Sequence, residues 1–312
     1  MGQRTVAIVG AGLMGHGIAY LFAHGGFRVR VQDPSAASLD SLPTRVVRIC
    51  ELLGTDPETV LSRIQCDSDL ASAVEGAELV IEAAPEKLAL KQALFAELER
   101  HAPPTAILAS NTSVIPISAI SERLQLKHRV VGAHFWNPPH LVPLVEVVMM
   151  REENRAAAEA LIALLRSMGR HPVLVQRDIP GFIGNRLQHA LKREAIALVA
   201  ANVCDAESID EVVRFGFGAR MAVLGPLEQS DLVGLDLTQQ IHDILMPELD
   251  VTPHTHPYLA ERVARGELGM KSGQGFRRWT SETSQAVRDR LSQFLAQSAV
   301  AAAAAQANRC KG

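Results

Sequence analysis

No apolar run in this chain reaches the ~18 residues that a membrane-spanning helix needs. Neither charge is in excess: 31 Lys and Arg stand against 34 Asp and Glu, a net charge of −3. That balance removes the electrostatic case for binding nucleic acid. No signal-like region opens the sequence, because Met1 leads almost directly into a strand and a helix, so the expected location is cytoplasmic. Cysteine is sparse. Cys50, Cys66, Cys204 and Cys310 are scattered with no CxxC, and read as reduced thiols. His254 and His256 lack an apparent third ligand, so no metal is expected. No repeat of solenoid length is visible. What remains is a globular composition, 47% hydrophobic over 312 residues, large enough for two domains.

The first informative unit is local. Arg4–Val9 reads as a strand and ends in Gly10-Ala11-Gly12-Leu13-Met14-Gly15. A helical run follows, then an alternating strand Phe27–Gln32 that ends in Asp33. Strand, GxGxxG, helix, strand and acid in that order form a dinucleotide fingerprint. Gly10 permits the tight turn, Gly12 lets the backbone approach a pyrophosphate, and Gly15 lets helix and strand pack closely. The helix amino-terminus offers N–H groups to phosphate. Asp33, eighteen residues after Gly15, can bond both ribose hydroxyls and repels a 2′-phosphate, so NAD is the expected cofactor.

Ser35–Arg63 has helical spacing and reads as an excursion of one or two helices. Ala77–Ala83 is a buried strand, followed by Glu86, Lys91 and a helix over Leu88–Arg100. Ala106–Ser110 is another strand, ending in Asn111-Thr112-Ser113. Polar residues just past the carboxyl ends of parallel strands are where ligands sit, although Asn and Ser there also suit a helix cap.

The central stretch is Gly132–Val148, with His134 and Glu146 twelve positions apart. Val130–Phe135 and Val145–Met149 read as strands joined by a proline-rich loop. A carboxylate that folds back onto a histidine from the next strand holds a general base in one tautomer. His140 shares the loop and is a candidate for touching substrate; His16 reads as a packing or surface residue. A helix over Glu153–Met168, closed by Gly169, and a strand Pro172–Val175 complete a mostly parallel sheet with helices on both faces.

Gln176–Gly181 is the expected boundary. Beyond it the pattern is helical, with runs over Phe182–Ala201, Ser208–Phe215 and Leu227–Met246. Ser208 and Glu211 suggest a capping box. The alanine-rich end suits either a helix or a loose tail.

Several blocks together resemble one family: VAIVGAGLMGHGIA, VIEAAPEKLALKQALF, ASNTS, GAHFWNPPHLVPLVEVV, IPGFIGNRL, GPLEQSDLVGLD and GMKSGQGF. The chain is similar, from about residue 4 to residue 279, to the L-3-hydroxyacyl-CoA dehydrogenases and their lambda-crystallin (L-gulonate 3-dehydrogenase) and carnitine dehydrogenase relatives. The resemblance implies an α/β Rossmann-type doubly wound sheet in 1–178, followed by an all-helical C-terminal domain in 179–312 for substrate and dimerisation. It implies His134 as the catalytic histidine and Glu146 as its acid. Ser113 matches a serine at the substrate oxygen, and Asn185 an asparagine reaching the substrate. Glu86, Lys91, Asn111, Asn137 and Lys271 match residues around the cofactor cleft, alongside Gly10, Gly12, Leu13, Met14, Gly15, Asp33 and Ala83.

Two departures bear on substrate. Ser35–Arg63 has Arg45, Arg48 and Arg63 but no lysine, where the CoA-specific members carry a lysine-rich helix. Trp136 stands where many relatives have phenylalanine or a smaller residue. The expected function is NAD-dependent interconversion of a 3-hydroxy acid, or a derivative, and its 3-keto compound. A CoA thioester substrate, a C=N reductase and a non-catalytic, crystallin-like NAD-binding protein stay open as alternatives.

Overall fold

The computed structural model describes residues 4–309. The chain divides into two compact units between Asn185 and Arg186, and the described residues from Leu291 onward belong with the first.

The first unit opens with β1 (Thr5–Val9), α1 (Gly15–His24) and β2 (Arg28–Gln32). The excursion then holds three short helices, α2 (Ala36–Asp40), α3 (Leu42–Leu53) and α4 (Pro57–Leu61). Asp56 caps α4 by accepting from the Glu58 and Thr59 amides, and Gly54, at φ 66°, ends α3. Two elements without a clear apolar signal follow, an edge strand β3 (Ile64–Asp67) and α5 (Leu70–Val74). Next come β4 (Leu79–Glu82), α6 (Leu88–His101), β5 (Ile107–Ser110), α7 (Ile117–Ile120), β6 (Val130–Phe135), β7 (Leu144–Val148), α8 (Arg155–Ser167) and β8 (His171–Val175).

The eight strands form one sheet in the order β3-β2-β1-β4-β5-β6-β7-β8. All pairings are parallel except β6–β7, which sets His134 directly opposite Glu146. Alternation along each strand divides the core. Val6 and Ile8 pack with α1, α3 and α8 residues on one face. Ala7 and Val9 pack with Phe95, Leu98, Ile117 and Ile120 on the other. This is the doubly wound arrangement that the sequence pattern implies.

The second unit, Arg186–Arg290, is helical. α9 (Gly184–Ala200) leads into it, followed by α10 (Ala206–Phe215), α11 (Phe217–Met221), α12 (Pro226–Val233), α13 (Leu235–Leu245) and α14 (Pro257–Ala264). α15 spans Ser281–Arg309, so the alanine-rich end is helical as far as it is described. Two sequence expectations are corrected here. Asp205, not Ser208, caps α10, accepting from the Ser208 amide at 2.8 Å. Leu227–Met246 is not one helix: Gly234, at φ 100°, leaves the helical region and separates α12 from α13.

Candidate active site

The carboxyl ends of β1 and β2 build the dinucleotide turn. Gly10 has φ 107°, and a Cβ there would lie 2.7 Å from the Ala83 carbonyl oxygen. A Cβ on Gly15 would lie 1.7 Å from the Gly10 carbonyl oxygen, so neither position admits a side chain. At Gly12 nothing lies within 4 Å of a built Cβ, so its backbone faces open space, as a bound pyrophosphate requires. Leu13 beside it is exposed and Met14 half-buried. Asp33 accepts from the Ala11 amide at 2.8 Å and the Ser35 amide at 2.9 Å. Each oxygen therefore keeps a lone pair for a ribose hydroxyl. These residues fit NAD. Asp33→Ala is expected to weaken NAD binding roughly 10- to 100-fold, the range of a hydrogen bond to a charged group. NADP binding should change less; titration of both cofactors checks this, and an unchanged ratio would remove the role.

A second network shapes the ends of β4 and β5. Glu82 is fully buried and accepts from Lys91 Nζ at 2.7 Å, Ser110 Oγ at 2.6 Å and the Ala84 amide at 2.6 Å. Lys91 Nζ also donates to the Ala84 carbonyl at 3.2 Å and lies 3.4 Å from Glu86. Lys91, which the resemblance puts around the cofactor cleft, is 1% exposed, and its ammonium lies between Glu82 and Glu86. Glu86 Oε1 accepts from Thr112 Oγ1, the Ser113 amide and the Val114 amide at 2.6, 2.9 and 3.1 Å. Burial alone would raise the Glu86 carboxyl. These three donors and Lys91 outweigh it and hold the group below the usual carboxylate range. Glu86 thus fixes the backbone that presents Ser113. Asn111 Oδ1 accepts from the Phe135 amide at 2.9 Å, tying the end of β5 to that of β6.

At the third position, His134 Nδ1 donates to Glu146 Oε2 at 2.8 Å, with both residues buried. An ionised carboxylate only accepts, so Nδ1 carries the proton and Nε2 is the nitrogen left for a ligand. Glu146 Oε1 accepts from the Ile183 and Gly184 amides at 2.9 and 3.0 Å. Gly181 (φ 76°) and the buried Phe182 (φ 47°) lead the chain into this clamp. A bulky residue held in the left-handed region costs about 1–3 kcal/mol, a strain that clusters at functional sites. Burial raises the Glu146 carboxyl, and His134 with the two amides more than reverses this. Asn185 Nδ2 donates to the Ser113 carbonyl at 3.0 Å, so the structure brings Ser113 and Asn185 together. Asn137 is exposed and precedes a cis proline, Pro138.

Elsewhere, His140 packs against Gly17 and the edge of Tyr20. Burial, then nearby His16 and Arg170, push it down to about 4, so it is neutral near pH 7. His256 accepts from the Tyr258 amide as a helix cap. Lys271 belongs to the helical unit, where it lines a groove of about 860 Å³ with Ile196, Val199, Phe276 and Trp279. Sequence reasoning missed Glu82 and the Ile183–Gly184 amides, and Glu82 left a trace only as a lone carboxylate ending an apolar strand.

Comparison with known proteins identifies the family. The family described as 3-hydroxyacyl-CoA dehydrogenase, NAD binding domain, matches residues 5–179, and its C-terminal domain matches residues 181–279. A probable 3-hydroxybutyryl-CoA dehydrogenase of Bacillus subtilis is 38% identical over 289 residues, covering 90% of this chain and 99% of that one. The 5-formyl-3-hydroxy-2-methylpyridine 4-carboxylate 5-dehydrogenase of Mesorhizobium japonicum is 34% identical over 289 residues, covering 91% and 94%. A crystal structure of a 5-dehydrogenase for that pyridine carboxylic acid, described as an NAD+-dependent dismutase, superposes with a TM-score of 0.88 at 32% identity, covering 95% and 97%. The chain therefore belongs to the 3-hydroxyacyl-CoA dehydrogenase family and is an NAD-dependent oxidoreductase acting on CH–OH.

Proposed function

We propose that this enzyme interconverts a free 3-hydroxy acid, or a comparably small hydroxy compound, and its keto partner. The observation that carries the chemistry is the buried His134–Glu146 pair at 2.8 Å, clamped by the Ile183 and Gly184 amides just before Asn185, which bonds Ser113. NAD, when bound, supplies the hydride acceptor. In oxidation, His134 Nε2 takes the hydroxyl proton while Glu146 orients the ring and stabilises the imidazolium. Ser113 Oγ and the Asn185 amide bond the reacting oxygen and hold the carbinol carbon in place. In reduction the protonated His134 returns the proton.

The arginines of the excursion support a free acid over a CoA thioester. Arg45 donates to the Ser38, Ser41 and Gly12 carbonyls, and Arg63 to the Ala23 carbonyl. Arg48 is the one guanidinium of that segment without a hydrogen-bond partner among the described residues. With no lysine there either, few cationic N–H donors are left uncommitted to grip a CoA phosphate. The TM-score of 0.88 to a pyridine-carboxylate enzyme supports the same reading. The test is NADH formation with 3-hydroxybutyrate, its CoA thioester, carnitine, gulonate and 5-formyl-3-hydroxy-2-methylpyridine 4-carboxylate, with NADH oxidation by cyclic imines alongside. A higher kcat/KM for a free acid is expected. Preference for the thioester would restore the CoA reading, imine reduction alone would move the activity to C=N, and tight NAD binding without turnover would favour the crystallin-like one.

A homodimer formed through the helical unit is part of this proposal. No hydrophobic side chain beyond Phe182 is fully buried among the described residues. Phe215, Val223, Leu227 and Ile244 are 75%, 82%, 80% and 78% exposed. A helical unit this size that buries none of its large apolar side chains needs a cover. A second copy of the chain is the simplest one, because a twofold interface uses the same patch twice. Sedimentation equilibrium is expected to give a dimer at micromolar concentration, and a monomer throughout would contradict this.

A further inference from the structure

We infer that Trp136 is a positioning residue that acts through Glu146 to restrain the basicity of His134, an inference that rests on the acid–base roles proposed above. Trp136 follows β6 and lies two residues beyond His134, on the same side of the extended chain. Its Nε1 donates to Glu146 Oε2 at 3.3 Å, the oxygen that His134 Nδ1 also holds. Oε1 takes the Ile183 and Gly184 amides. A carboxylate offers about four lone-pair sites, and four donors meet Glu146. The acid is saturated, and one of its two Oε2 donors is an indole N–H that can neither take nor release a proton near neutral pH.

The placement of the indole is enforced by its neighbours. A Cβ on Gly184 would lie 2.3 Å from Trp136 Cζ2, so the ring lies directly on backbone. The indole also packs against His134, with centroids 5.4 Å apart and planes at 53°. Phe182 flanks the same imidazole at 5.8 Å. The imidazole therefore has little freedom to leave Glu146.

The electrostatic consequence has a definite sign. Every hydrogen bond donated to Glu146 draws charge from it, so less is left to stabilise the imidazolium form of His134. Without the indole N–H, Glu146 holds the imidazolium more firmly. The ring then binds its proton more tightly, and a smaller share of the enzyme carries free base at a given pH. Trp136 thus keeps the base available for the alcohol-oxidising direction.

The test uses two variants of the full-length protein. Trp136→Phe removes the donor and shrinks the ring. Replacement of Trp136 by 3-benzothienylalanine keeps the bicyclic shape and removes only the N–H. The His134 titration is followed by NMR in the free protein, and the pH profile of kcat/KM in oxidation is measured with the best substrate of the panel. Both variants are expected to move the imidazole midpoint, and the acid limb of kcat/KM, to higher pH by roughly 0.5–1 unit. If the benzothienyl variant keeps the wild-type midpoint, the inference is overturned, whatever Trp136→Phe does, because ring packing would then account for any effect. The NMR arm needs no turnover. A shifted midpoint in a protein inactive on every substrate of the panel would uphold the Trp136 link and remove the acid–base role proposed for His134.

Discussion

His134→Gln is expected to lower kcat for oxidation by about 10²–10⁴-fold, the usual worth of a positioned general base. Glutamine is the informative replacement because its amide can still donate to Glu146, which is buried and must keep its partners. NAD affinity should be unchanged, since the dinucleotide turn at Gly10–Gly15 and Asp33 is built from β1 and β2 rather than from β6. Fluorescence titration of NAD together with steady-state turnover separates the two effects. Near-normal turnover in a folded variant, with chemistry rate-limiting, would remove His134 from the reaction.

The second large effect is structural. Lys91→Met should cost about 3–5 kcal/mol, because it strands the buried Glu82 carboxylate without its cation. Ser110 Oγ and the Ala84 amide remain as donors, which places the loss toward the lower end, ~3 kcal/mol, or roughly 5–10 °C in Tm. A double variant that also replaces Glu82 by methionine should recover much of this, since paired apolar residues avoid the desolvation of both charges. Thermal unfolding of the three proteins checks the pattern. An additive loss in the double variant would mean that the ion pair is not the unit. Turnover of the double variant should still fall, because Glu86, which holds the Ser113 amide, loses its neighbouring ammonium.

How much was legible depends on how local each feature is. The glycine turn could be read because its motif lies within six residues, although the backbone that forces Gly10 belongs to Ala83 and only Gly15 is forced from within the turn. The His134–Glu146 pair could be read from its spacing, since two antiparallel strands joined by a loop place those residues opposite each other. The edge strand Ile64–Asp67 could not, because none of its residues is fully buried and its sequence, IQCD, carries little apolar pattern. The amides that clamp Glu146 come from 37 and 38 residues away and have no side-chain signature. The Glu82–Lys91 pair is hidden for another reason: a buried lysine and an exposed one look alike until the partner is placed. In the helical unit, periodicity revealed apolar faces such as Leu187 and Leu191 without saying what covers them, and both are exposed in the single chain.

The central claim is that hydride passes between a nicotinamide and the carbinol carbon of a small free acid, with His134 handling the proton. Its most direct test is label transfer. NADH deuterated at both C4 positions is incubated with the keto partners of the free hydroxy acids of the panel and, separately, with 3-ketobutyryl-CoA. The expected result is deuterium on the carbinol carbon of a free hydroxy acid, formed by the wild-type enzyme and nearly abolished in His134→Gln. Deuterium only in the thioester products, or NADH consumed with no label in any hydroxy product, would contradict it.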